Sequence, residues 1–195
     1  MDPIQTTTLR NDLPNAPVLV VNNRESVILT TDGELINLDK DQTIWQAKNS
    51  KPILCNAMTI ARYLKIHDFP ALDLLELFAF VRPAEFTIPT PRGLADFFGL
   101  TRPETSEEMT ETLMKITGYL LNELATAETR VYNLAYGMSQ AGWSWGPTAL
   151  KAIKKNKPKH APTNNFDGLK VWNHLSEWEE DTPPPPPGHL NIDPA

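Results

Sequence analysis

Residues 52–100 read PILCNAMTIARYLKIHDFPALDLLELFAFVRPAEFTIPTPRGLADFFGL, and the fold is decided in this stretch. It opens on a short apolar run, residues 52–55, of the kind that forms a strand buried on both faces. Residues 56–65 then place Ala57, Ile60, Ala61 and Leu64 on one side of a helix. Phe69-Pro70 ends that segment. Residues 71–81 form a nearly unbroken apolar block carrying two acids, Asp73 and Glu76, and predict a short strand passing into a helix. Thr90-Pro91 is a helix start, with threonine as the cap and proline at the first helical position. Leu94, Phe97 and Phe98 then face inward, and Gly99 closes the segment. A strand–helix–strand–helix order is the signature of an α/β sheet.

Working toward the N-terminus, residues 17–21 form a continuous apolar run, residues 26–31 are rich in β-branched residues, and residues 34–38 alternate polar and apolar. Asp32-Gly33 between the last two is a hairpin signal, because both residues tolerate positive φ. Three strands are predicted here. Residues 39–50 have helical character around Ile44, Trp45 and Ala47. Toward the C-terminus, Thr105 and Glu108 have capping-box spacing. From Met109 through Leu113, Ile116, Leu120, Leu124, Ala127, Val131, Leu134 and Met138 the apolar residues recur at steps of three and four. That period predicts one long helix, or two meeting near residues 125–128, ending by Gly142. Gly118 inside it costs about 1 kcal/mol relative to alanine, which implies a packing reason. Residues 143–147, Trp-Ser-Trp-Gly-Pro, read as a turn and residues 148–154 as a further short helix. Residues 155–165 read as a loop and residues 169–178 as an apolar strip.

The chain divides accordingly into a loose lead-in (1–15), an α/β domain (16–125), a helical extension packed on it (126–180) and a proline-rich linker (181–195). The 18 prolines against 9 glycines belong in part to that linker, where residues 183–187 are all proline. A net charge of −6 argues against a domain whose main task is gripping nucleic acid, which needs a basic face to neutralise phosphates. Cys55 is the only cysteine, so no intrachain disulfide can form and a reducing, cytoplasmic setting is expected. The first residues lack the apolar core of a secretory signal, and no run approaches the ~18 apolar residues of a membrane span, so no membrane association is expected.

Three antiparallel strands followed by an α–β–α run is the layout of a ribonuclease H-like fold. Cys55-Asn56-Ala57, Leu72-Asp73-Leu74 and the segment from Gly93-Leu94 to Gly99-Leu100 resemble the proofreading-type 3′–5′ exonucleases of the DEDD class. Those enzymes end the corresponding strand in His-Asn-Ala and hold two metal ions with four carboxylates. The resemblance implies that scaffold over residues 17–125, but the catalytic positions do not match. Asn22-Asn23-Arg24 stands where Asp-x-Glu is expected, with Glu25 one place out of register. Ile60 stands where a third carboxylate belongs. Over residues 106–111, where a His…Asp pair should open the long helix, only Glu111 could substitute. A hard divalent cation needs several oxygen ligands at once. No catalytic residue, metal site or cofactor is therefore assigned to this chain.

A second resemblance covers nearly the whole chain. FPALDLLELFAFVRPA (69–84) continuing through PTPRGL (89–94), AGWSWGP (141–147) and Trp178-Glu179-Glu180 with its prolines are similar to the amino-terminal region of DinG-type ATP-dependent DNA helicases of alphaproteobacteria. In that family an exonuclease-like, apparently inactive module precedes the motor. This chain has no Gly-x-x-x-x-Gly-Lys-Ser/Thr phosphate loop, no Asp-Glu-Ala-His box and no cysteine set for an iron–sulfur cluster. The resemblance implies a non-catalytic accessory module for DNA unwinding or repair, with a C-terminal helicase motor as its partner in a longer protein and DNA contacted indirectly. A residual metal-dependent exonuclease and a free-standing adaptor are the alternatives.

The candidate nucleic-acid contacts are Lys151, Lys154, Lys155, Lys157 and Lys159, which make one basic segment beside His160, and Trp143 and Trp145, which could stack on unpaired bases. Solvation of the lysines and packing of the tryptophans against the long helix are the plainer readings. Asp73 is expected to cap a helix or pair with an arginine such as Arg82 rather than bind metal. Asn56 is expected to join strand end to helix start, and Cys55 to be a small core residue. The four histidines, His67, His160, His174 and His189, show no metal-ligand spacing.

Overall fold

A computed structural model describes residues 13–153 except 24; residues 154–195 lie outside it, and with them the expected loop, apolar strip and linker. Among the described residues a five-stranded mixed sheet is flanked by seven helices. The strands are β1 (Val18–Val21), β2 (Ser26–Leu29), β3 (Leu35–Leu38), β4 (Ile53–Leu54) and β5 (Leu72–Asp73). The helices are α1 (Lys40–Asn49), α2 (Ala57–Leu64), α3 (Leu74–Val81), α4 (Pro91–Phe97), α5 (Ser106–Leu124), α6 (Thr129–Gln140) and α7 (Gly146–Ala152). The strand order is β3-β2-β1-β4-β5. β1 pairs antiparallel with β2 and β2 with β3, whereas β4 lies parallel to β1 and β5 parallel to β4.

The alternation of side chains along β1 sorts the core into two layers. Val18 and Val20 face a large cluster with Ile53, Leu72, Leu74, Leu77 and Leu94, against which Leu113, Ile116 and Leu120 of α5 pack. Leu19 faces the other way and joins Ile28, Leu54, Ala47 of α1 and Ile60 and Leu64 of α2. β1 is thus buried on both faces, as its unbroken apolar run requires. α6, α7 and the cap residue after α7 contribute Tyr132, Ala135, Ala149 and Ile153 to the same cluster as α5, so the part of the expected helical extension among the described residues shares the sheet's core.

Local chemistry accounts for most element ends. Asp39 and Gln42 make a reciprocal capping box on α1, and Thr105 and Glu108 make another on α5. Thr90 caps α4 with Pro91 in its first turn. The strand-to-helix passage through residues 71–81 occurs at Asp73, which ends β5 and caps α3. The long apolar period is broken into α5 and α6. The Thr126 hydroxyl donates to the Glu123 carbonyl at 2.9 Å, the Thr126 and Ala127 amides make short-range turn bonds, and Glu128 is extended. Gly118 lies on the buried side of α5.

The hairpin between β2 and β3 differs from the two-residue turn suggested by Asp32-Gly33. The Gly33 amide donates to Thr30 O at 3.1 Å and the Thr30 amide to Glu34 O at 2.8 Å, and positive φ falls on Gly33 alone (φ 89°). This is a three-residue loop closed by a glycine bulge, which shortens β2 from the expected 26–31 to Ser26–Leu29. Among the described residues no helix is long and apolar enough to cross a membrane.

Candidate functional site

Functional groups of open α/β sheets gather beyond the carboxyl ends of the parallel strands. Here those ends belong to β1, β4 and β5, and they deliver Asn22, Cys55-Asn56 and Asp73. α5 adds Ser106 from its first turn.

Asp73 sits at the meeting point. Its Oδ1 accepts from the amides of Asn56 (3.0 Å) and Leu75 (3.1 Å), and its Oδ2 accepts from the amide of Ala57 (2.7 Å). One carboxylate thereby serves the first turns of both α2 and α3, where amides lack helical partners and favour negative charge. Asn56 adopts a left-handed backbone (φ 67°), and its side chain accepts from the Thr59 amide at 3.1 Å. This region of φ, uncommon outside glycine, is tolerated by asparagine. Asp73 does not pair with Arg82. Arg82 instead grips Glu123 with Nε at 2.8 Å and Nη2 at 2.9 Å, and reaches Glu85 at 3.1 Å.

The end of β1 is closed by a ring of hydrogen bonds. Asn22 Nδ2 donates to Ser106 Oγ (2.7 Å), Ser106 Oγ donates to Glu25 Oε1 (2.7 Å), and the Glu25 amide donates to Asn22 Oδ1 (3.0 Å). Ser106 is 1% exposed, and the ring ties the turn after β1 to the start of α5. The Ser106 hydroxyl alone of these groups reaches the Glu25 carboxylate, while the Asn22 amide holds the hydroxyl and the Glu25 main chain. Ile60 lies in the apolar layer under α2, with no ligating atom to offer. Glu111 is exposed on α5 beside Lys115, at 3.9 Å. Among the described residues no three His, Cys, Asp or Glu side chains converge as a metal group would require.

Two further groups at this edge have altered acidity. Burial, and secondarily the negative charge of Asp73, push the Cys55 thiol up to about 12. It therefore stays protonated at neutral pH and is a poor nucleophile, as befits a core residue. Glu76 is held above the ordinary glutamate range, first by desolvation and then by Asp73, while a hydrogen bond from Trp143 pulls the other way.

The candidate nucleic-acid contacts divide three ways. Trp145 is 0% exposed and its indole N–H donates to the Asp73 carbonyl at 2.7 Å. This corrects its reading as a base-stacking residue, because reaching a base would pull a large ring and its hydrogen bond out of the core. Trp143 is half-buried, with its ring centroid 4.7 Å from that of Phe80, and it also serves Glu76. Lys151 is exposed in the last turn of α7. Lys154, Lys155, Lys157 and Lys159 lie outside the described residues. The structure thus does not bring the two tryptophans together as an open platform. The Asn22–Ser106–Glu25 ring and the Trp145–Asp73 bond had no signal in the sequence, since each joins segments dozens of residues apart.

No protein-family model, curated protein or solved structure matches this chain.

Proposed function

We propose that this chain is a non-catalytic accessory module of an ATP-dependent DNA helicase, built on a ribonuclease H-like scaffold and partnered by a motor that lies beyond it in a longer protein. The scaffold reading is supported by the sheet: three antiparallel strands come first, and β4 and β5 then add parallel to β1, each preceded by a helix. The helicase assignment rests on the sequence resemblance of residues 69–94 and 141–147.

One observation carries the non-catalytic reading. The Asp73 carboxylate at the strand ends is taken up by three backbone amides, two on Oδ1 and one on Oδ2. A carboxylate that clamps a catalytic cation must turn its lone pairs toward the ion. Glu25 is likewise held by Ser106, and its neighbour Asn22 is neutral. On this reading the strand ends serve as a joint between strands and helices.

The test is incubation of the purified chain with labelled single- and double-stranded DNA in magnesium or manganese. No cleavage is expected. Metal-dependent cleavage that disappears in a folded Asp73→Asn variant would make the chain a residual exonuclease and overturn the proposal. The helicase half is tested separately, by reading the gene past Ala195: a motor carrying the phosphate loop is expected there, whereas an immediate stop would make the chain a free-standing adaptor.

A further inference from the structure

The cations of this chain are put to unequal use. Among the described residues Arg82, Arg102, Lys115 and Arg130 each stand 3.9 Å or less from a carboxylate. Arg92 is occupied by the carbonyls of Pro103 and Glu104. Lys40, Lys48, Lys51, Arg62 and Lys65 have no carboxylate partner among the described residues. Lys51 reaches only the Ser144 carbonyl, at 3.4 Å, and Arg62 only the Met58 sulfur, at 3.1 Å. All five are exposed, and all lie on α1, on α2 or in the residues that end them. Between residues 40 and 67 the only acid is Asp41, in a chain whose net charge is −6.

Topology gathers four of these cations. α1 joins β3 to β4 and α2 joins β4 to β5, and these three strands run parallel. Both helices pack on one face of the sheet, over Leu19, Ile28 and Leu54. Each crossover helix runs back against its strands, so the two C-terminal ends lie at one edge of the sheet, opposite the Asp73 joint. That edge collects Lys48 and Lys51 from α1 and Arg62 and Lys65 from α2. Helical spacing puts Trp45 on the side of α1 away from Thr43 and Ala47, and it is 60% exposed; Tyr63, next to Arg62, is 47% exposed. The acids of this layer lie around these residues. Asp32 and Glu34 are in the hairpin at the outer strand, Asp41 is at the other end of α1, and Asp68 follows α2 on the way to β5.

We propose that this face of α1 and α2 binds an unpaired DNA strand, with phosphates on Lys48, Lys51, Arg62 and Lys65 and bases stacked on Trp45 and Tyr63. Cations that track the backbone, interleaved with rings that take the bases, are how proteins hold single strands without sequence preference. A duplex keeps its base faces stacked on one another and would leave both rings unused. A protein partner fits less well, because lysine is depleted in protein–protein interfaces and three of the four cations are lysines. A bilayer also fits less well, since the exposed sides of the helices carry Gln42, Asn49 and Thr59 where a membrane-surface helix needs Leu and Phe. The choice of a single strand stands on these residues; the choice of DNA over RNA rests on the helicase reading above.

The test is fluorescence anisotropy of a labelled oligothymidylate of about 15 nucleotides, titrated with the full chain. A Kd of about 1–100 μM is expected near physiological salt. Four phosphate contacts give a salt slope of about −3, so binding should weaken about 50-fold between about 50 and 200 mM salt. Lys48→Gln combined with Lys65→Gln should halve that slope. Trp45→Leu should weaken binding at least about fivefold with the slope unchanged, and Trp45→Phe should restore most of the loss. These positions are exposed, and circular dichroism should be unchanged. Three outcomes overturn the surface: no binding; displacement of the strand by polyglutamate as readily as by unlabelled oligothymidylate; or binding abolished by replacing Lys151, Lys154, Lys155, Lys157 and Lys159 yet unmoved by the α1 and α2 variants. Tighter binding of oligouridylate than of oligothymidylate overturns the choice of DNA. The nuclease assay and the reading of the gene past Ala195 test the accessory-module reading independently of all four.

Discussion

Three amides converge on the carboxylate of Asp73 while its carbonyl receives the indole of Trp145, so this residue joins β4, α2, α3 and the turn before α7. Asp73→Asn keeps one oxygen but sets an NH2 against an amide donor. A loss of about 2–3 kcal/mol is expected in a urea unfolding curve, the usual cost of stranding a partly buried donor together with a charge-assisted bond. Glu76 illustrates the opposite effect of the same charge. Because its carboxyl is held above the ordinary range, the native state binds its proton more tightly than the unfolded chain does. Stability from this group is present at acid pH and declines as pH rises through the raised value. Glu76→Gln should therefore raise the melting temperature at pH 7 and give no gain below about pH 4, where glutamate is protonated in both states. The roles of Asp73 and Asn56 were legible because an acid in an apolar block and an asparagine at a strand end have few uses besides capping. The Arg82–Glu123 pair was not, since a residue's partner across 41 positions leaves no local trace.

At the level of elements, caps and periodicity were enough to locate the strands and helices, because each is a local statement about hydrogen-bonding termini and one buried face. The exceptions are instructive. Asp32-Gly33 signals a hairpin with positive φ tolerated at both residues, but the strands' twist is met by a bulge at Gly33, the one residue of the pair with positive φ. The burial of α5 on both β1 and α3 extends around more of its surface than a single stripe, which is why Thr110 and Thr117 (each 0% exposed) escaped the apolar count. Their hydroxyls are satisfied by the carbonyls of Glu107 and Leu113 at 2.7 and 2.8 Å. α4 shows how tightly one element can be seated. A Cβ on Gly93 would lie 2.3 Å from the carbonyl oxygen of Ile88 and 2.5 Å from its Cβ, atoms that cannot swing aside. Alanine improves intrinsic helix propensity by about 1 kcal/mol, yet overpacking of this kind costs about 1–3 kcal/mol. Gly93→Ala should thus lower the thermal midpoint, and limited proteolysis should open the 83–90 loop sooner than in the parent.

For the molecule as a whole, the α/β class was readable from the order of elements, but the strand order was not, because nothing in β4 or β5 states which side of β1 they join. The site was harder still. Its hydrogen-bonded joints depend on Ser106, Glu25 and Trp145 arriving from distant segments. That same strand order bears on how the chain comes into being. β1 meets β2, and β2 meets β3, through short turns, yet β1 meets β4 only after the polypeptide has run on to Ile53, and β4 meets β5 only at Leu72. A hairpin forms in about 1–10 μs, whereas a ribosome adding about 5–20 residues per second needs seconds to deliver the rest. During that interval the meander has its central strand as an open margin, with Val18 and Val20 facing water where α5 will later lie. The newborn protein is therefore stickiest at a strand that ends buried on both faces, and its safe passage depends on the timing of synthesis as much as on the final packing.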